Sequence, residues 1–173
     1  MEAQRSQSEF NLDQIEIRPP TAADLPVLRR LFEEGCIEGQ VPNNDTGADI
    51  ENFTEAYLGP DNRSGFWIAD YKGHPVGMVG VQQQDAHVAE IRRLRVDPGY
   101  RRLGIGSKLL ETAITFCREQ DYLKVVLDTR VERDAAIRLF EKFGFQHART
   151  RDLNGRRVID FYFDFYRDPD THG

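Results

Sequence analysis

Two hydrophobic periods take turns along the chain. Residues 14–18 alternate apolar and polar and predict a first strand, stopped by Pro19 and Pro20. Thr21 to Asp24 has the form of a capping box, and Leu25, Leu28, Leu31 and Phe32 follow at helical spacing. Gly35, Gly39, Pro42, Asn43 and Asn44 break that pattern into a loop. A second helix is predicted over 49–58, ended by Gly59 and Pro60. Residues 66–71 and 76–83 read as a hairpin turning at Lys72-Gly73, and residues 88–96 as the next strand. Residues 104–119 form a long amphipathic helix whose inward stripe is Ile105, Leu109, Ala113 and Phe116. A short buried strand over 123–127 comes next, then a helix over 133–143 with Gly144 at its C-terminal cap. Strands over 145–150 and 158–165, joined at Asn154-Gly155, close the chain.

That order, β-α-α-β-β-β-α-β-α-β-β, predicts an α/β fold: a mixed sheet of about seven strands with four helices on its faces. The helix between the fourth and fifth strands implies that these two run parallel, with a right-handed crossover. Residues 13–167 read as one domain, 1–12 as a disordered arm and 168–173 as a tail. No repeat or linker divides the 173 residues.

The fourth strand breaks its own period. Ala89 and Ile91 share one parity, Leu94 and Val96 the other, and Arg92-Arg93 lies between them. Apolar residues of one strand cannot change face without an extra residue, so a β-bulge is expected near 92–94. A bulge there bends the strand away from its parallel neighbour. The splay frees backbone N–H and C=O groups for an extended ligand that carries amides.

Directly after this strand, Asp97-Pro98-Gly99 ends it, and Arg101-Arg102-Leu103-Gly104-Ile105-Gly106 runs into the long helix. The first turn of a helix offers unpaired N–H groups and partial positive charge, and glycines let a phosphate come close. The two arginines add charge-assisted bonds. The segment is neither a dinucleotide fingerprint, since position 109 is Leu109, nor a P-loop, which lacks its Gly-Lys-Ser/Thr. Two glycines at a helix start with solvated arginines would read alike without any ligand. The slot in the preceding strand adds the second half of a match: pantetheine carries two amides and joins a pyrophosphate, so the pair points to coenzyme A.

Charge sharpens the picture. The net charge of −6 argues against a general nucleic-acid binder. From Leu31 to Asn62 there are eight acidic residues and no lysine or arginine, whereas His87 to Leu110 holds six basic residues against Glu90 and Asp97. A basic stretch on an acidic chain suits a specific anionic ligand. Cys36 and Cys117 stand apart, and neither they nor the four histidines have metal-ligand spacing, so no metal is expected. No signal peptide or membrane-length apolar run is read, and a cytoplasmic location without membrane contact is expected.

On these residues the chain resembles the GCN5-related N-acetyltransferase (GNAT) family. The family hallmark, Arg/Gln-x-x-Gly-x-Gly/Ala, is matched by Arg101 to Gly106. Residues 91–110 and 135–145 read like family consensus, and the element order agrees from about Ile15 to Phe165. The resemblance implies acetyl-CoA as co-substrate and direct acetyl transfer to a primary amine in a ternary complex. It implies that Leu94, Arg95 and Val96 line the pantetheine, with Leu94 and Val96 pairing through their backbones. It puts Arg101, Arg102, Leu103, Gly104, Ile105, Gly106 and Ser107 around the pyrophosphate. Arg133, Ala136, Leu139 and Phe140 would flank the pantetheine and thiol end. Glu90 stands where some members carry a catalytic base, and the N–H of Val96 is the expected carbonyl polariser.

Two positions depart from the family pattern. Arg133 stands where asparagine is common, and Phe140 stands where a tyrosine often serves as general acid. Tyr162 is the substitute acid considered, with Tyr122 as an alternative better suited to packing. Cys117 lies in a helix stripe and reads as core. The acceptor site is expected between the loop 36–49 and the turn 152–157, where the acidic stretch would favour a cationic amine. Small-molecule and peptide acceptors both fit, as do a monomer and a homodimer. The rival reading is an acyl-CoA sensor that keeps the fold without catalysis, which Phe140 favours.

Overall fold

The computed structural model describes residues 10–37, 46–153 and 155–165. Its strands are β1 (Ile15–Arg18), β2 (Gly65–Tyr71), β3 (His74–Gln83), β4 (Val88–Val96), β5 (Lys124–Arg130), β6 (Gln146–Leu153) and β7 (Arg156–Asp164). The α-helical segments are α1 (Leu25–Ile37), α2 (Ala48–Glu51), α3 (Phe53–Tyr57), α4 (Ile105–Glu119) and α5 (Asp134–Lys142). One seven-stranded sheet runs β1-β2-β3-β4-β5-β7-β6. Its neighbours are antiparallel except β4 and β5, which are parallel as the crossover through α4 requires.

Each face of the sheet has its own core. Ile105, Leu109, Ala113 and Phe140 from α4 and α5 pack on Val81, Ile91, Val125 and Leu127. Leu28, Leu31, Ile50 and Tyr57 from α1 to α3 pack on Phe66, Ile68 and Met78. Burial of each Val, Leu, Ile, Phe or Met side chain among these contributes roughly 1.5–3 kcal/mol. The β2–β3 turn has the mirror-type backbone expected of Lys72-Gly73, with φ of 51° and 85°.

Several boundaries differ from the sequence pattern, and three of the differences trace to specific contacts. The helix expected over 49–58 is split at Asn52, whose side-chain amide donates to the Ala48 carbonyl at 3.0 Å and competes with the helix ladder. Five α-helical segments result among the described residues, where four were expected. Strand β5 runs on to Arg130, because Asp128, Thr129 and Arg130 continue to pair with Asp160, Ile159 and Val158 of β7. Phe10 and Leu12, assigned to the arm, are ordered against the domain: the Phe10 ring lies 5.0 Å from Tyr71, and Leu12 opens a 3-10 turn. The rest of the arm, the tail, Asn154 and residues 38–45 of the acceptor loop lie outside the described residues.

Candidate active site

Strand β4 carries the expected bulge. Met78 pairs with Arg95 and Gly80 with Arg92, so Val79 faces two residues, and Arg93 takes the left-handed conformation at φ 59°. The extra residue moves Leu94 and Val96 onto the α4–α5 face, beside Ala89 and Ile91. It also gathers three arginines on the opposite face. Arg92 donates to Gln82 at 2.8 Å, Arg93 reaches Asp49 of α2, and Arg95 pairs with Met78, a core residue of that side.

Past the bulge the parallel pair separates. Ladder pairing between β4 and β5 covers Val88 to Glu90 with Lys124 to Val126 and stops there. Asp97 donates its N–H to Val76 on β3, so by strand alternation Val96 and Leu94 turn their N–H and C=O groups to the open edge. Arg101 Nε meets the Val96 carbonyl at 3.4 Å and Arg95 Nη1 meets that of Leu94 at 2.9 Å, on the same edge.

The turn into α4 is shaped by two left-handed residues, Arg102 (φ 64°) and Gly104 (φ 89°). They follow a 3-10 turn over Pro98–Tyr100, held by Asp97, which accepts from the Gly99 N–H at 3.0 Å. The residues that open α4, Gly104 to Ser107, line the same cavity as Arg101 and Arg102, and the first turn of a helix has N–H groups without intrahelical partners. A cavity of about 810 Å³ joins this turn to the split between the strands. On the helix side it is lined by Ile105, Gly106, Ala136, Leu139 and Phe140. On the other side it meets Glu90, Arg92, Asp128 and Arg130, so it passes through the sheet. The strand edge without a ladder partner suits the two amides of pantetheine, and the helix start with its arginines suits a pyrophosphate.

Glu90 lies where the cavity emerges. Gln84 Nε2 donates to its Oε2 at 2.7 Å, and Arg92 Nε stands 3.6 Å from its Oε1. Burial pushes the Glu90 carboxyl above the usual range; Arg92 works against that shift, and the nearby Asp128 adds to it. Asp128 is likewise raised, chiefly by desolvation within the cleft, although 52 % of its side chain remains exposed. Asp128, Arg130, Leu127 and Thr129 were absent from the sequence-derived site. The alternation of Leu127 and Thr129 with Asp128 and Arg130 is the signal that could have revealed them.

Of the residues expected to carry the chemistry, Glu90, Leu94 to Val96, Arg101, Arg102, Gly104 to Ser107, Arg133, Ala136, Leu139 and Phe140 all border this cavity. Leu103 and Tyr162 are not among its lining residues. The Tyr162 hydroxyl donates to Gln146 Oε1 at 2.8 Å. Tyr122 is buried and donates to the Arg63 carbonyl at 2.6 Å, a packing role. Phe140 is packed between Phe145 and Phe161. Cys117 is buried, and desolvation pushes its thiol up to about 12.

The sequence model of the acetyltransferase (GNAT) family matches residues 27–145. Human N-acetyltransferase 8 is 35 % identical over 103 residues, which cover 57 % of this chain and 45 % of that protein. The chain spans about half the length of the curated relatives it matches. Among solved structures, an acetyltransferase of the GNAT family from Staphylococcus aureus Mu50 superposes with a TM-score of 0.76 at 24 % identity, covering 87 % of this chain and 98 % of that one. The structure of yncA from Salmonella typhimurium with its cofactor acetyl-CoA gives 0.75 at 18 % identity, covering 87 % and 94 %.

Proposed function

The chain belongs to the acetyltransferase (GNAT) family, and on that premise we propose that it transfers the acetyl group of acetyl-CoA to a primary amine by direct attack. One observation carries the reading: a single cavity links a phosphate-type helix start, a strand edge without a ladder partner and a half-buried glutamate. Arg101, Arg102 and the N–H groups of Gly104 to Ser107 would hold the pyrophosphate. Leu94 and Val96 would pair with the pantetheine amides, flanked by Ala136, Leu139 and Phe140. Arg133, at the start of α5, would add a cation to the phosphate end. The thioester supplies the electrophilic carbonyl.

The amine reaches the site as an ammonium and must lose a proton before it attacks. Glu90 takes that proton, directly or through one water. Burial raises its carboxyl, which makes it a stronger base than an exposed glutamate. The N–H of Val96, at the open edge, polarises the carbonyl. Phe140 has no proton to give, and Tyr162 lies away from the cavity lining, so the departing thiolate is protonated by solvent. Phe140 also favours one rival, binding of acyl-CoA without transfer.

Thiol release from acetyl-CoA across a panel of amines tests the reading. Turnover that is lost in Glu90→Gln supports it. Tight acetyl-CoA binding with no thiol release for any amine would select the sensor.

A further inference from the structure

Of the acidic stretch that suggested a cationic acceptor, three residues are held in internal pairs. Asp49 holds Arg93, Glu51 holds Arg29 at 2.5 Å, and Glu34 stands 3.7 Å from Arg30. The cavity itself has the opposite sign, with eight arginines against Glu90 and Asp128. Arg101, Arg102 and Arg133 serve the cofactor's phosphates in the reading above, and Arg93 answers Asp49. Arg92, Arg95, Arg130 and Arg156 then exceed what the cofactor requires.

Arg92 shares the face of Glu90 by simple alternation, and the bulge brings Arg95 to the same face: Arg92 pairs with Gly80, Arg95 with Met78 and Glu90 with Gln82 across β3. Arg130 arrives on that face from β5 through the alternation of Leu127 and Thr129 inward with Asp128 and Arg130 outward. Its Nε is buried and makes no hydrogen bond among the described residues, with Glu132 Oε2 at 3.9 Å. Glu90 and Arg92 are two residues apart, roughly 7 Å along the strand, and their charged ends lie 3.6 Å apart.

We propose that the acceptor is a small amine that also carries a carboxylate, an amino acid in the chemical sense, with its ammonium on Glu90 and its carboxylate on Arg92, supported by Arg130. This rests on the acetyltransferase reading and specifies its acceptor. A zwitterion laid against the Glu90–Arg92 pair meets an opposite charge at each end, and arginine presents its N–H groups in the geometry of a carboxylate. A polyamine would set a second ammonium against Arg92, and like charges so placed repel. The amine and the carboxylate are therefore separated by a few carbons at most.

The test measures thiol release by the full chain with acetyl-CoA and four acceptor sets: free amino acids, their α-amides, spermidine, and a peptide with a free N-terminus. The best free amino acid is expected to exceed its own amide at least tenfold in kcat/KM, with an acceptor KM that rises with salt. The amide's amine is less basic and more readily neutral, so a preference for the acid isolates the carboxylate contact. Arg92→Gln is expected to raise the amino-acid KM tenfold or more and to bring the acid-to-amide ratio near one. Its KM for acetyl-CoA should stay within twofold, which separates a lost contact from a misfolded chain. Equal or better turnover of amides, spermidine or the peptide overturns the proposal and leaves acetyl transfer standing. No thiol release with any amine overturns both.

Discussion

Asp49 and Arg93 form a doubly hydrogen-bonded ion pair, Nη2 to Oδ1 at 2.6 Å and Nε to Oδ2 at 3.0 Å, between the helix α2 and the bulge of β4. Both side chains are nearly sealed from solvent, 11 % and 5 % exposed. Tyr57 donates its hydroxyl to the same carboxylate, and the Arg93 guanidinium lies over the Phe32 ring. The residue that opens the strand pair for the cofactor is thereby clamped to the helix beside the acceptor loop. Asp49→Asn would leave a buried guanidinium without its counter-charge, and a loss of about 3–5 kcal/mol is expected in urea unfolding. Burial opposes ionisation of Asp49, but the bonds from Arg93 and Tyr57 outweigh it and hold the carboxyl at about 2. Its folded value lies below its unfolded one. The stability it contributes is therefore complete above the ordinary carboxylate range, near pH 4, and is lost as pH falls toward 2. Acid unfolding of the wild type should show that added loss, and Asp49→Asn should not.

Glu90 should govern the acid limb of activity. Glu90→Gln is expected to lower kcat by about 10²–10⁴-fold, with the KM for acetyl-CoA little changed. Because burial raises the Glu90 carboxyl, kcat/KM in the wild type should fall with acid at a pH above the usual carboxylate range. Full turnover by Glu90→Gln at neutral pH would remove the residue from the base role.

Asp128 offers a separate test of the same electrostatics. Its negative charge helps to raise Glu90. Asp128→Asn removes that charge, so the Glu90 carboxyl ionises more readily and the acid limb moves to lower pH. A pH–rate profile of the variant reads the direction. A limb that stays in place would mean that the two carboxylates do not interact.

What the sequence made legible were patterns carried by neighbouring residues. The slip between Ile91 and Leu94 foretold the bulge and the split of β4 from β5, because period and burial are local constraints. The run from Arg101 to Gly106 foretold the helix start for the same reason. The break at Asn52 was hidden, since Ile50, Phe53 and Tyr57 all face inward across it as one helix would arrange them. The partner of Asp49 was hidden as well. Asp49 sits in a stretch without bases, and its arginine lies 44 residues away on another element. Asp128 escaped notice because a charged residue after Leu127 resembles the end of a buried strand. Here it lies on a strand edge beside an open cleft, where charge is tolerated.

The two glycines of the turn should fail in different ways. Gly104 has φ 89°, and a Cβ there would stand 3.1 Å from Leu12, away from the cofactor slot. Gly104→Ala forces an L-residue into the left-handed region and crowds Leu12, so a stability loss of about 1–2 kcal/mol is expected. Gly106 has ordinary helical geometry. A Cβ there would lie 3.5 Å from Leu139 and 3.9 Å from Val96, which is normal contact across the slot. Gly106→Val should therefore fold with nearly wild-type stability while its methyl groups fill the space the pantetheine needs. Calorimetric titration with CoA should show at least a tenfold loss of affinity for Gly106→Val. Gly104→Ala should lose thermal stability first, with affinity reduced only as far as the turn is distorted. If Gly106→Val bound CoA normally, the slot between Val96 and Leu139 would not be the cofactor's path.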